Sequence, residues 1–204
     1  MECTTLLSEI DAILNTASFK DYCPNGLQIQ GRPSITKIAA AVTASRSVIE
    51  QAAAWGADAL LVHHGYFWKG EDAPIVGMKH GRIAALIKHD INLIAYHLPL
   101  DAHPILGNNA QLALKLGFQV AGQVPTEPLV WHGTSDCLTL GELAARIEQR
   151  LGRAPQVIGD ARAAVGTVAW CTGAAQGYIT TAAACGAQTF ISGEVSERTF
   201  HEAQ

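Results

Sequence analysis

Short apolar runs alternate with helical stripes along this chain. Residues 5–16 place apolar side chains at helical spacing, and ITKIAAAV (35–42) reads as a strand. Residues 45–55 predict a helix with Gly56 as its stop, and ADALLV (57–62) predicts a short buried strand. A helix over 79–89 and a strand over 91–96 (INLIAY) follow. Asn108 is placed to cap a helix that ends before Gly117. The stretches 22–34 and 120–135 are rich in Pro, Gly and Asn and read as turns and loops. LTLGELAARIEQRLG (138–152) carries the apolar stripe of an amphipathic helix. Strands alternating with helices predict an α/β fold with mainly parallel strands.

The pattern then repeats. Residues 39–64 align on 169–194 without gaps, and eight of the 26 positions are identical, including the glycines at 56 and 186. Alanine-rich helices match by chance easily, so the shared order of strand, helix, glycine and strand carries more weight than the identities. Two similar, three-layer-like halves are expected, at 1–124 and 125–204. The first copy runs on to Tyr96-His97, and the matching place in the second, near position 227, lies past Gln204. The second half is therefore expected to be incomplete at its C-terminus.

Composition narrows the classes. With 204 residues, 49% of them hydrophobic, the chain can bury a real core and is not disordered. The net charge is −4 and no Lys/Arg cluster stands out, so there is no footprint for nucleic acid. No apolar run reaches the ~18 residues of a membrane helix, and the N-terminus carries acids in place of a basic n-region. Five widely spaced cysteines without a CxxC read as reduced thiols in a cytoplasmic protein.

Candidate chemistry gathers at two strand ends. LLV runs into His63-His64, and INLIAY runs into His97, followed by Asp101 and His103. Parallel strands bring their C-termini to one sheet edge, where ligands bind in open α/β sheets. Side chains alternate along a strand, so His63 and His64 are expected to point apart and to serve two adjacent ions, or one ion and its support. Imidazole with carboxylate suits Zn, Fe, Mn or Ni, and paired metals suit hydrolysis. Asp101 would bind or bridge, while His97 or His103 would shuttle protons or support a ligand. The plainer reading keeps these histidines as hydrogen-bonded side chains with no ion. Tyr66, Phe67 and Trp68 read as a packed lip, and Glu194, at the repeat position of His64, as a loop residue. There is no P-loop, GxGxxG, GxSxG or HExxH.

The segments DYCPNGLQIQG, VTAS, ADALLVHHGYFWKG, YHLPLDAHPILGNNAQLA and FISGEVSE resemble the bacterial dinuclear metal-centre hexameric proteins, the type 2 GTP cyclohydrolase I homologues, over essentially the whole chain. The resemblance implies two similar α/β halves, a toroidal homohexamer and two divalent metals per subunit. It implies that His63, His64 and Asp101 are metal ligands and that His97 lies beside them, its role unassigned; from its place at a strand end we take His97 as the catalytic candidate. A further His and Glu of the family motif would fall past Gln204. The implied reaction is attack of an activated water on the imidazole ring of the guanine of GTP, with ring opening and loss of formate. A metal-dependent hydrolase of nucleotides or related heterocycles is one expectation; a non-catalytic, metal-containing ring-forming protein is the other.

Overall fold

The computed structural model describes residues 1–204 and divides into two compact units, Met1–Leu100 and Asp101–Gln204. The first contains helix α1 (Cys3–Leu14), strands β1 (Gly26–Ile29) and β2 (Ile38–Thr43), helix α2 (Arg46–Trp55), strand β3 (Ala59–His64), helix α3 (Gly77–Lys88) and strand β4 (Asn92–Ala95). Its sheet has the order β1-β4-β3-β2. The three strands β2, β3 and β4 are parallel, and β1 closes the β4 edge antiparallel.

The alternation of side chains decides which helix covers which face. Leu60, Val62, Leu93 and Ala95 share a core with Ile49, Ile83 and Leu86 from α2 and α3. Their neighbours Ala59, Ile94 and Tyr96 pack with Cys3, Leu6 and Leu14 from α1 on the other face. Ser45 caps α2 by accepting from the Val48 amide, and Gly56 ends it at φ 76°. Glycine supplies that left-handed turn without strain, as the sequence predicts.

Helix α4 (Leu98–Ala102) spans the division between the units. The second unit continues with α5 (Asn108–Leu116), β5 (Gln119–Val124), β6 (Glu127–Thr134), α6 (Leu140–Leu151), β7 (Thr167–Cys171), α7 (Ile179–Ala184), β8 (Thr189–Ser192) and α8 (Glu197–Glu202). Its sheet order is β5-β6-β7-β8. Trp131, Val168 and Trp170 pack with Leu116 and Leu143 on one face, and Val130, Ala169 and Cys171 pack with Ala182 on the other.

Several expectations change. Both sheets are mixed; the first is mainly parallel as expected, but in the second β5–β6 and β6–β7 are antiparallel and only β7–β8 is parallel. The expected loop at 120–135 is the β5–β6 hairpin, so a boundary at 124 would separate two paired strands; the compact units divide at Leu100–Asp101 instead. Gly107, not Asn108, occupies the N-cap of α5.

The repeat is visible in the strand register. Ile38 pairs with Ala59 and Val168 with Thr189; Ala39–Leu60, Ala40–Leu61 and Ala41–Val62 likewise recur as Ala169–Phe190, Trp170–Ile191 and Cys171–Ser192. Every pair keeps the sequence offset that aligns the two copies. No helix is long and apolar enough to cross a membrane, and all five cysteines are free thiols.

Candidate metal centre

His63 and His64 end β3, and His97 follows β4 on the neighbouring parallel strand. One ligand nitrogen from each of these three rings lies within 4.8 Å of the others. Ring centroids are 4.5 Å apart for His63–His64 and 4.9 Å for His63–His97. The expectation that strand alternation would hold the histidine pair apart is thus corrected. The pair occupies the last two residues of β3, with His64 still in register with Thr43, and the two rings nonetheless lie side by side. A Cβ on Gly65 would collide with the Gln28 side chain and lie 2.8 Å from the Ala95 Cβ, so glycine is required there by space.

Hydrogen bonds orient the rings. His63 Nδ1 donates to the Tyr96 carbonyl at 3.0 Å, since a carbonyl only accepts, and this puts the lone pair of neutral His63 on Nε2. His64 Nδ1 meets the Thr43 hydroxyl at 3.3 Å. His97 Nδ1 donates to Asp21 Oδ1 at 2.7 Å. Carbonyl and carboxylate partners of this kind commonly fix the tautomer of metal-binding histidines. Three neutral nitrogen donors so arranged fit a borderline divalent metal such as Zn, Fe or Ni.

Asp21 was not among the residues singled out from the sequence. Burial pushes its carboxyl up, but hydrogen bonds from His97, Asn25 and the Leu98 amide outweigh this and hold it at about 2. Asp21, Cys23 and His97 also form a close group of ligand atoms. That group suits an ion less well. Each Asp21 oxygen already accepts two hydrogen bonds, and burial, helped by the Asp21 charge, pushes the Cys23 thiol up to about 12.

The aromatic segment divides. Tyr66 is buried and donates to the Ala44 carbonyl at 2.7 Å, and Phe67 packs on the core at φ 65°. Trp68 is the member that faces the histidines, edge-on to His97 at 5.0 Å and 6.0 Å from His64. The Lys69 amide donates to the Tyr22 carbonyl at 2.6 Å, tying this loop to the one that carries Asp21.

Asp101 and His103 belong to the second unit. Asp101 is buried; its Oδ1 accepts from Asn108 Nδ2 at 2.7 Å and from the Thr172 hydroxyl at 3.3 Å. Asn109, fully buried, donates to the Asp101 carbonyl and accepts from the Thr172 amide. His103 Nδ1 accepts from the Ile105 and Leu106 amides and so caps a turn. Glu194 is exposed on its loop, as expected, and the Cys185 thiol is exposed as well.

Comparison with known proteins agrees with this architecture. The family model for Duf34/NIF3 (NGG1p interacting factor 3) matches residues 1–204. The GTP cyclohydrolase 1 type 2 homolog of Escherichia coli is 52% identical over 206 residues, covering 100% of this chain and 83% of the relative. The solved structure of protein ybgI, described as of unknown function, superposes with a TM-score of 0.94 at 50% identity, covering 100% of this chain and 82% of that one. A crystal structure from Thermus thermophilus gives 0.82 at 32% identity, with 99% and 81% covered. With the match spanning both units and their two mixed sheets, the chain belongs to the Duf34/NIF3 family and is a homologue of the type 2 GTP cyclohydrolase 1 homologs.

Proposed function

We propose that this chain is a metal-dependent hydrolase acting on a nucleotide or a related heterocycle. The observation that carries the reading is the close group of His63, His64 and His97, each with Nδ1 engaged by a polar partner. A divalent metal bound there would supply a Lewis acid and lower the pKa of water near neutrality. His63 and His64 would hold it. His97, backed by Asp21, would take or deliver a proton through Nε2. Trp68 would wall the site and limit access of water from its side. A second metal rests on the family resemblance alone.

The relatives' name points to GTP as the first substrate to try. The test is release of formate from GTP, beside a panel of other purine nucleotides and heterocycles, by protein loaded with Zn, Fe, Mn or Ni. Turnover that is lost on chelation and in His97→Gln is the expected result. Metal-loaded protein that turns over nothing would contradict the hydrolase reading and favour a metal-containing binding or assembly protein.

A further inference from the structure

We propose that Asp21 is a positioning residue that locks His97 in its Nδ1–H tautomer and so keeps the Nε2 lone pair for the imidazole cluster. The geometry is over-determined. Asp21 Oδ1 accepts from the Tyr22 amide at 2.6 Å and from His97 Nδ1 at 2.7 Å. Oδ2 accepts from the Leu98 amide at 2.8 Å and from Asn25 Nδ2 at 3.0 Å. A backbone N–H thus faces each oxygen, and a backbone N–H cannot turn into an acceptor. Both oxygens must accept, so the group is a carboxylate and its imidazole partner must donate. The Asp21 side chain is only 3% exposed, so water does not replace a lost bond cheaply.

A second contact fixes the same residue from its main chain. The His97 amide donates to Asn25 Oδ1 at 2.8 Å, so the loop of Asp21 and Asn25 grips both the backbone and the ring of His97. The loop is itself held because Gly26 begins β1 and pairs with Ala95, two residues before His97. With Nδ1 occupied, Nε2 is the nitrogen left to His97 for a metal or a proton.

An asparagine at position 21 would keep the shape and remove one acceptor. Its NH2 must face one pair of donors. Placed toward Oδ2, it meets the Leu98 amide and the Asn25 NH2, whose own oxygen is committed to His97. Placed toward Oδ1, it meets the Tyr22 amide, which lies at an exposed residue where water can take the bond, and His97, which relieves its share of the clash by moving its proton to Nε2. The second arrangement costs less, and it removes the lone pair from the cluster. The same logic makes an Asp-to-Asn change beside a catalytic histidine harmful with little change of structure.

The test is the tautomer of His97, read by ring-nitrogen NMR on the metal-free full chain above the imidazole pKa. Wild type is expected to show Nδ1 protonated, and Asp21→Asn to show Nε2 protonated. Asp11→Asn is the control, because Asp11 bonds the Tyr96 hydroxyl and not His97; its His97 should match wild type. A wild-type Nε2–H tautomer overturns the proposal, even if Asp21→Asn fails to fold. So does an unchanged tautomer in folded Asp21→Asn. A Co2+ titration then reads the consequence, which rests on the metal-centre reading with His97 Nε2 as a third donor beside His63 and His64: affinity should fall about ten- to a hundredfold in Asp21→Asn. Wild type that binds no Co2+ would sink the metal-centre reading, and the NMR result would still decide the role of Asp21.

Discussion

The strand–helix–strand units β2-α2-β3 and β7-α7-β8 share a register, a glycine stop and an offset, yet they end in different chemistry. At the start of the second strand, the first copy has Asp58 and the other Gln188. Asp58 accepts from the Thr36 hydroxyl and amide, the Lys37 amide and Arg32, and is almost fully buried. Gln188 accepts only a long bond of 3.4 Å from the Thr167 amide. At the strand's far end the first copy has His63-His64 and the second Gly193-Glu194. A Cβ on Gly193 would lie 2.8 Å from the Gly173 carbonyl oxygen, so no side chain fits where the first copy holds an imidazole. The repeat therefore sets the backbone, and chemistry comes from what is added around it. In the first unit those additions are β4 with His97 and the loop with Asp21.

This contrast can be broken at each end of the strand. Asp58→Ala leaves Arg32 and three other donors without their carboxylate and should cost about 3–5 kcal/mol. Gln188→Ala should cost under about 1.5 kcal/mol. Urea unfolding midpoints at pH 7 measure both; equal losses would mean that the Asp58 knot is no more important than its counterpart. A smaller effect is expected from Gly65→Ala, about 1–3 kcal/mol of overpacking against Gln28 and Ala95. Its repeat counterpart Val195 is exposed, and Val195→Ala should stay within about 0.5 kcal/mol.

Acid sharpens the comparison further. Asp21 titrates at about 2, and hydrogen bonds from Thr36 and Lys37, with Arg32, hold Asp58 far below the usual carboxylate range. The unfolded chain binds protons first as pH falls. The stability from these groups is therefore full above the ordinary carboxylate pKa of 3.8 and is lost as pH drops through the folded values. The unfolding midpoint should decline from about pH 5 downward, and the decline should be shallower in Asp58→Asn. An identical slope in that variant would remove Asp58 from the account.

Much of the first unit was legible because β2, β3 and β4 lie in apolar runs and α2 stops at glycine; β1 was hidden in the stretch 22–34, which reads as turns. The β5–β6 hairpin was hidden by Pro125, Pro128 and Gly133, which read as loop. Val124 pairs with Glu127 across the turn, and β7 pairs β6 only over Trp131–Thr134, beyond Pro128. Gly133 is needed because its face meets the Gln119 carbonyl. At the candidate site, the histidines were visible as a break in an apolar run. Asp21 was not, because its meaning lies in a partner 76 residues away. The turn-rich setting of Asp21 and Asn25 before the β1 strand was the available signal. Strand alternation misled at His63-His64, whose rings lie 4.5 Å apart although both residues belong to β3.

The decisive measurement is metal bound per chain. Elemental analysis after loading and dialysis would compare wild type, His63→Ala/His64→Ala and Glu194→Ala. Metal is expected in wild type and in Glu194→Ala, and its loss is expected when the two histidines are replaced. Metal retained without those histidines, or absent from all three proteins, would contradict the metal-centre reading.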